Sequence, residues 1–278
     1  MFTDTHCHLH YMLENPESGE NISNFFQEIA TKKYPFLLDI GTKSNDYVER
    51  KKLFNKALVQ YCSPEVKKYV ESILHFSVGI WPDVDVILNS EADLRILEEI
   101  LTVHSDSICA LGECGLDRYW NKEDLYKKEE KLFEAQIEMA KKHNLPIIVH
   151  SRDAFQGTFD CLKNGNSSNG VIHCYSYGIE EVGKFLDLGF YISFSGTITY
   201  AKKRDMEKMK ALLQFIPKDR LLLETDAPYL APNPMRGTKN NPLYIPYTYE
   251  YASNILSLST EDLCQLIYRN AINLFGRS

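Results

Sequence analysis

The sequence predicts an α/β fold, a single (β/α)8 TIM barrel over residues 1–278, and three observations carry that prediction. Short apolar runs recur eight times at intervals of about 30 residues, the length of one strand and one crossover helix. Segments with helical periodicity separate them. No Gly/Ser/Pro-rich linker interrupts the alternation, so it reads as one parallel sheet wrapped by helices, and eight strands favour closure over an open sheet.

The runs begin at Phe2, Phe36, His75, Ile108, Pro146, Val171, Phe190 and Leu221. Helical periodicity covers residues 24–33, 46–61, 91–104, 123–143, 153–163, 180–188, 205–215, 247–256 and 260–275. Residues 123–143 show it most clearly, with Leu125, Leu132, Phe133, Ile137 and Ala140 on one face and lysines and glutamates opposite. Ser63-Pro64 places a capping hydroxyl before a proline suited to a first helical turn, which predicts an additional short helix in the second crossover.

Composition narrows the function classes. The chain is 44% hydrophobic and 25% charged, which excludes disorder and fibrous architecture. Its 31 Lys+Arg against 38 Asp+Glu give a formal charge of -7, which argues against a basic surface that coats nucleic acid but leaves room for a local anion site. Seven cysteines without a C-x-x-C pair argue against a disulfide framework or a zinc knuckle. No apolar stretch is long enough to cross a bilayer, and Met1-Phe2-Thr3-Asp4-Thr5-His6 lacks the pattern of a signal peptide. The expectation is a cytoplasmic protein without a membrane or an obligate protein partner.

The chemistry concentrates at strand ends. His6 and His8 are two apart in the first run, where such side chains share a face and two imidazoles can share an ion. The fourth run ends in Gly112-Glu113-Cys114-Gly115-Leu116-Asp117, the fifth in Val149-His150-Ser151-Arg152, the sixth in Ile172-His173-Cys174 and the eighth in Leu223-Glu224-Thr225-Asp226. In a closed barrel, four histidines and two acids would then converge on one mouth. Four imidazoles and two carboxylates can hold two divalent ions with one carboxylate bridging. Two such ions outweigh two carboxylates, so the pocket would attract phosphate within an acidic protein. Mixed nitrogen and oxygen donors suit zinc or manganese better than magnesium alone. His10, His75, His104 and His143 read as solvent-facing polar residues, and Cys7, Cys114 and Cys174 as small core thiols facing the helix layer.

Together these motifs resemble the TatD family of metal-dependent deoxyribonucleases, among the amidohydrolase-like barrel enzymes. The likeness runs from Asp4-Thr5-His6-Cys7-His8-Leu9 through Gly112–Asp117 and the His150 and His173 segments to Gly189-Phe190-Tyr191-Ile192-Ser193-Phe194-Ser195-Gly196. It ends in residues 222–232 and in Arg236-Gly237-Thr238-Lys239-Asn240-Asn241-Pro242, so it covers nearly the whole chain. The resemblance implies a first ion on His6, His8, Glu113 and Asp226, and a second on Glu113, His150 and His173, with Glu113 as the bridge. It also implies hydrolysis of phosphodiesters at single-stranded DNA ends, as a 3'-5' exodeoxyribonuclease, with Asp226 orienting or deprotonating the attacking water. Arg152, Arg236 and Lys239 are candidates for substrate phosphates.

Two departures concern substrate contacts. Trp81 stands where the family usually has a histidine; it could stack on a base but cannot perform an imidazole's proton chemistry. Tyr175-Ser176-Tyr177-Gly178 is longer than the family's usual turn at that place. The alternative reading is an ester, lactone or amide hydrolase on the same scaffold, including a D-aminoacyl-tRNA deacylase; a metal-binding scaffold without turnover is a third.

Overall fold

The structure, a computed structural model, describes residues 1–14 and 19–276; residues 15–18 and 277–278, which the expected domain includes, lie outside it. The strands are β1 (Thr3–Cys7), β2 (Phe36–Asp39), β3 (Leu74–Val78), β4 (Ala110–Asp117), β5 (Ile147–Arg152), β6 (Gly170–Ile172), β7 (Tyr191–Phe194) and β8 (Leu221–Leu223). Among the described residues the α-helices are α1 (His10–Glu14), α2 (Gly19–Thr31), α3 (Tyr47–Tyr61), α4 (Pro64–Ile73), α5 (Val84–Leu88) and α6 (Ser90–Val103). They continue as α7 (Tyr126–Lys142), α8 (Phe155–Asn164), α9 (Ile179–Asp187), α10 (Met206–Phe215), α11 (Ile245–Leu256) and α12 (Thr260–Phe275).

The strands follow chain order through one eight-stranded sheet, and their registered pairs are parallel, as a (β/α)8 barrel requires. Most strands are buried on both faces, which is why they read as continuous apolar runs rather than alternating ones. Every expected strand and helical segment is present, with ends displaced by a few residues. Ser63 caps α4 as its sequence implies, accepting from the Val66 amide at 3.3 Å. In α7 the residues Leu132, Phe133, Ile137 and Ala140 are buried as expected, whereas Leu125 precedes the helix in a 3-10 turn and is half-buried. The sequence reading missed α1 and α5; each has five residues, too few to show a helical period.

The chain forms two compact units. The first comprises Met1–Asp39, Val48–His75 and Phe194–Ile272, and the second Ile40–Tyr47, Phe76–Ser193 and Asn273–Ser278. In the first unit β8 lies against β1, where the Asp226 amide donates to the His6 carbonyl at 2.9 Å and the His8 amide to the Ala227 carbonyl at 2.7 Å. Helix α11 is tied to the start of β1 by Tyr249, whose hydroxyl donates to the Thr3 carbonyl at 2.9 Å and accepts from the Thr3 amide at 3.2 Å. Asn270 of α12 donates to the carbonyls of Lys218 and Leu221 at 2.7 and 2.8 Å, which fixes the entry of β8. A buried ion pair adds to this frame. Arg50 of α3 meets Asp39 at the end of β2 at 2.5 Å, and Asp39 also accepts from the His10 amide at 3.0 Å.

In the second unit β4 and β5 pair closely, with Gly115 opposite His150 and Asp117 opposite Arg152. Gly115 has φ +147°, and a Cβ there would collide with the His150 carbonyl, so only glycine permits this approach. Gln136 of α7 holds the exit of β3: it accepts from the Ile80 amide at 2.8 Å and donates to the Ile80 carbonyl at 3.1 Å.

Candidate functional site

In the second unit three candidate ligands meet. Glu113 lies within β4, His150 within β5, and His173 directly after β6. Glu113 Oε1 is 2.9 Å from His150 Nδ1 and 2.9 Å from His173 Nε2, and the two ring nitrogens are 3.4 Å apart. Glu113 and His173 are buried and His150 is nearly so. Donors that share one transition ion, each about 2.0–2.2 Å from it, are separated by about this much, so the set fits a divalent cation. The identities agree as well, because imidazole with carboxylate is the donor chemistry of zinc, manganese and iron.

The strands impose this geometry. Residues 113, 115 and 117 share one face of β4, so Asp117 stands on the same side as Glu113. Its Oδ2 lies 2.9 Å from His150 Nε2, leaving Nδ1 for the cluster. Its Oδ1 accepts from the amides of Tyr119 and Trp120, each at 3.0 Å. A carboxylate behind a histidine ligand fixes ring orientation and raises the basicity of the ligating nitrogen. The Asp117 amide is held in turn by Glu129 of α7 at 2.7 Å, and Asn121 donates to the same oxygen at 2.7 Å.

The electrostatics follow. Burial pushes the His150 pKa down, but the carboxylates of Asp117 and Glu113 more than offset it and the net shift is upward. Burial raises Asp117, yet its bonds to His150 and to the Trp120 and Tyr119 amides bring it below the usual carboxylate range. The sequence gives Asp117 no role of its own; its place four residues beyond Glu113 is the signal that points to it.

The first unit holds the other candidates. His6 in β1, His8 just beyond it and Asp226 after β8 are buried. Asp226 Oδ1 lies 3.6 Å from His6 Nε2 and 3.6 Å from His8 Nε2, and the two rings meet edge to face with centroids 5.2 Å apart. Asp226 has φ 55°, in the left-handed region that a non-glycine residue seldom adopts. Beneath them Asp4 is fully buried, accepting from the Thr225 hydroxyl at 2.6 Å, the Thr225 amide at 2.9 Å and the His6 amide at 3.3 Å. Burial pushes its pKa up to about 7 despite those bonds. Glu224, also buried, stands close enough to add to that rise.

A cavity of about 360 Å³ opens beside His8, lined by Met12, Phe25, Pro228, Lys239 and Asn240 among others. Lys239 thus borders a space next to a proposed ligand. Arg236 lies elsewhere on this unit, exposed, with its guanidinium 4.3 Å from the centre of the Tyr200 ring. Arg152 is exposed at the end of β5 and stacks on Tyr119 at 3.8 Å. Trp81, at the departure from the family pattern, sets its ring edge-on to His150 with centroids 5.7 Å apart. Tyr177, at the second departure, holds the loop after β5: its hydroxyl is 2.8 Å from Ser151 Oγ and accepts from the Ala154 amide at 3.1 Å.

The expectations for the remaining histidines and for one thiol are corrected. His10 does not face solvent: it is buried, with Nδ1 3.1 Å from Asp39 Oδ1, because Asp39 needs donors to balance its burial and His10 supplies one beside Arg50. His75 is likewise half-buried, stacked on Phe36 at 4.4 Å. His104 and His143 are half-buried too, His104 beside Tyr47 and His143 3.0 Å from Glu98. The thiols behave as expected at Cys7 and Cys114, which point at the carbonyls of Leu38 and Ile148. Burial raises both far above the usual thiol range. Cys174 is only half-buried.

Comparison with known proteins agrees with these features. A family model described as TatD related DNase matches residues 3–276. The chain is 33% identical to the uncharacterized metal-dependent hydrolase YabD of Bacillus subtilis over 99% of each chain. It is 32% identical to the uncharacterized metal-dependent hydrolase YcfH of Escherichia coli over 98% of this chain and 94% of that one. Among solved structures, the TatD homologue YjjV of Escherichia coli matches with TM-score 0.79 and 25% identity over 100% and 98% of the two chains. A TatD family hydrolase of Entamoeba histolytica shares the fold with TM-score 0.80 at 20% identity, over 99% and 97%. The chain is a metal-dependent hydrolase and belongs to the TatD related DNase family.

Proposed function

We propose that this hydrolase cleaves phosphodiester bonds at single-stranded DNA ends, as a 3'-5' exodeoxyribonuclease that uses two divalent ions. The observation that carries the reading is the Glu113–His150–His173 triangle with Asp117 behind it, a buried donor set suited to a cation. That set would hold one ion. His6, His8 and Asp226 would hold the other, with Glu113 shared between the two as the family pattern of the sequence implies. When bound, such ions supply Lewis acidity toward phosphoryl oxygen and lower the pKa of a bound water.

The chain's own groups do the rest. Asp226, turned toward His6 and His8, orients the attacking water and takes its proton. Asp117 accepts from His150 Nε2–H and so leaves Nδ1, on the side of Glu113, as the atom that would meet the cation. Arg152 and Lys239 supply cations for the phosphates that flank the scissile bond. The physiological setting proposed is the cytoplasm, with DNA as the partner.

The test uses purified protein with end-labelled single-stranded DNA, a para-nitrophenyl phosphodiester, a lactone and a charged tRNA, each with and without chelator. Nucleotide release that chelator abolishes is the expected result. Turnover of the lactone or the aminoacyl ester alone would overturn the nuclease reading in favour of a carboxylic ester hydrolase. Elemental analysis of the purified protein should find two ions per chain.

A further inference from the structure

We propose that Tyr119, Trp120 and Arg152 form a platform that takes one base and its phosphate from a single-stranded nucleic acid. It adjoins the Glu113–His150–His173 cluster and rests on the phosphodiesterase reading above. The platform stands in the turn after β4 and at the end of β5, all within the second unit. Trp120 is 63% exposed and Tyr119 56%, an unusual placement for two large rings in one short turn. The rings meet edge to face at 4.9 Å and 89°. The Arg152 guanidinium lies 3.8 Å from the centre of the Tyr119 ring and 5.9 Å from that of Trp120.

Three further observations point to an anionic ligand with flat rings. Among the described residues Arg152 has no carboxylate partner; the residue is exposed and its guanidinium packs on the Tyr119 ring. Neighbouring Arg118 contrasts with it: its guanidinium is spent on Glu130 at 2.6 Å and on the Tyr126 ring at 4.4 Å. An uncompensated arginine beside exposed aromatic faces, in a chain of net charge -7, offers a local match to a nucleotide rather than general attraction for polyanions.

The second observation is mechanical. One carboxylate, Asp117, fixes both the platform and the cluster: Oδ1 holds the Tyr119 and Trp120 amides, and Oδ2 holds His150. The third is register. Asp117 pairs with Arg152 two residues beyond the pairing of Gly115 with His150, so the arginine and the ligand leave the same strand two positions apart. Trp120 would carry the base, Arg152 the phosphate, and Tyr119 would position Arg152. Duplex DNA hides its base faces and cannot use such a surface, which favours a single strand.

The experiment measures binding, with chelator present to block turnover, of a short labelled single-stranded oligonucleotide and of its fully abasic counterpart. Stacking of one base corresponds to a preference of about 5- to 150-fold for the base-bearing strand. The wild type should show that preference, Trp120→Ala should lose it, and Trp120→Phe should keep most of it. Arg152→Ala should weaken both strands alike and lower the salt slope by about one ion. Because Trp120 is exposed, the variants should fold, and circular dichroism checks this. An unchanged base preference in Trp120→Ala overturns the platform, and so does failure of the wild type to bind either strand. DNA cleavage without base preference would leave the phosphodiesterase reading standing and remove the platform. Base-dependent binding through Trp120 without chelator-sensitive cleavage would do the reverse.

Discussion

The two units position their candidate ligands by different means. In the second, side chains brace side chains: Glu113 spans two imidazoles, Asp117 stands behind His150, and Glu129 with Asn121 holds the segment around Asp117. In the first, the backbone does the bracing. The His6 carbonyl and His8 amide are laced to the residues after β8, and the buried carboxylates of Asp4 and Asp39 tie down the strand ends beneath them. The contrast shows in the spacing, 2.9–3.4 Å between donors in the second unit against 3.6 Å from Asp226 to each histidine in the first. A site braced by side chains should yield to loss of one polar atom. One braced by backbone should yield only when the frame itself is loosened.

The harshest test removes the central donor of the braced set. On the proposed reading, in which the family resemblance makes this carboxylate shared, Glu113→Ala should reduce turnover of labelled DNA to background, and elemental analysis should show that both ions are lost. Retention of one ion on His6, His8 and Asp226 would mean that the first unit's set is self-sufficient. Near-wild-type turnover would remove Glu113 from the centre altogether.

Next in size is the frame of the first unit. Arg50→Ala leaves Asp39, which is fully buried, without its guanidinium partner, and losing one member of a buried pair costs about 3–5 kcal/mol. Urea unfolding should register most of that, while Lys52→Ala, which breaks an exposed pair with Glu49, should change stability by less than about 1 kcal/mol. Equal effects from the two would mean that the strand ends do not depend on the buried pair.

A gentler probe addresses Asp117. Asp117→Asn preserves shape but withdraws the charge behind His150, and loss of such an outer partner typically lowers metal affinity or activity about 10- to 100-fold. Competition with a chelator of known affinity measures the former directly. If affinity is unchanged, ring orientation at His150 is set by Glu113 and the Trp81 contact alone.

The candidate ligands were legible in the sequence because strand geometry brings them out locally: His6 and His8 are two apart, and Glu113, His150, His173 and Asp226 sit in or just beyond apolar runs. Asp117 was legible in the same way, four residues from Glu113 on one strand face, but its role depended on knowing which histidine the neighbouring strand would bring. The platform was hidden for a related reason. Tyr119 meets Arg152 only in the register that pairs Asp117 with Arg152, and a slip of one residue would send Arg152 to the other face. His10, Asp39 and Arg50 come from three elements with no shared period, so the acid that draws His10 inward left no local trace.

The smallest expected effect lies in acid and separates the two ways of bracing once more. Burial raises the Asp39 pKa, but Arg50 and His10 more than reverse it, and the folded value lies below the unfolded 3.8. The unfolded chain therefore binds the proton first as the solution is acidified. The contribution of Asp39 to stability is complete above about pH 4, and it fades as pH falls through the depressed folded value, by at most about 1.4 kcal/mol per pH unit. Asp39→Asn should be less stable than the wild type at pH 7, because Arg50 then lacks its counter-charge, yet its urea midpoint should fall less steeply between about pH 4 and pH 2. Parallel slopes in the two proteins would show that Asp39 carries no folding-linked charge, and the bracing of the first unit would then rest on its backbone bonds alone.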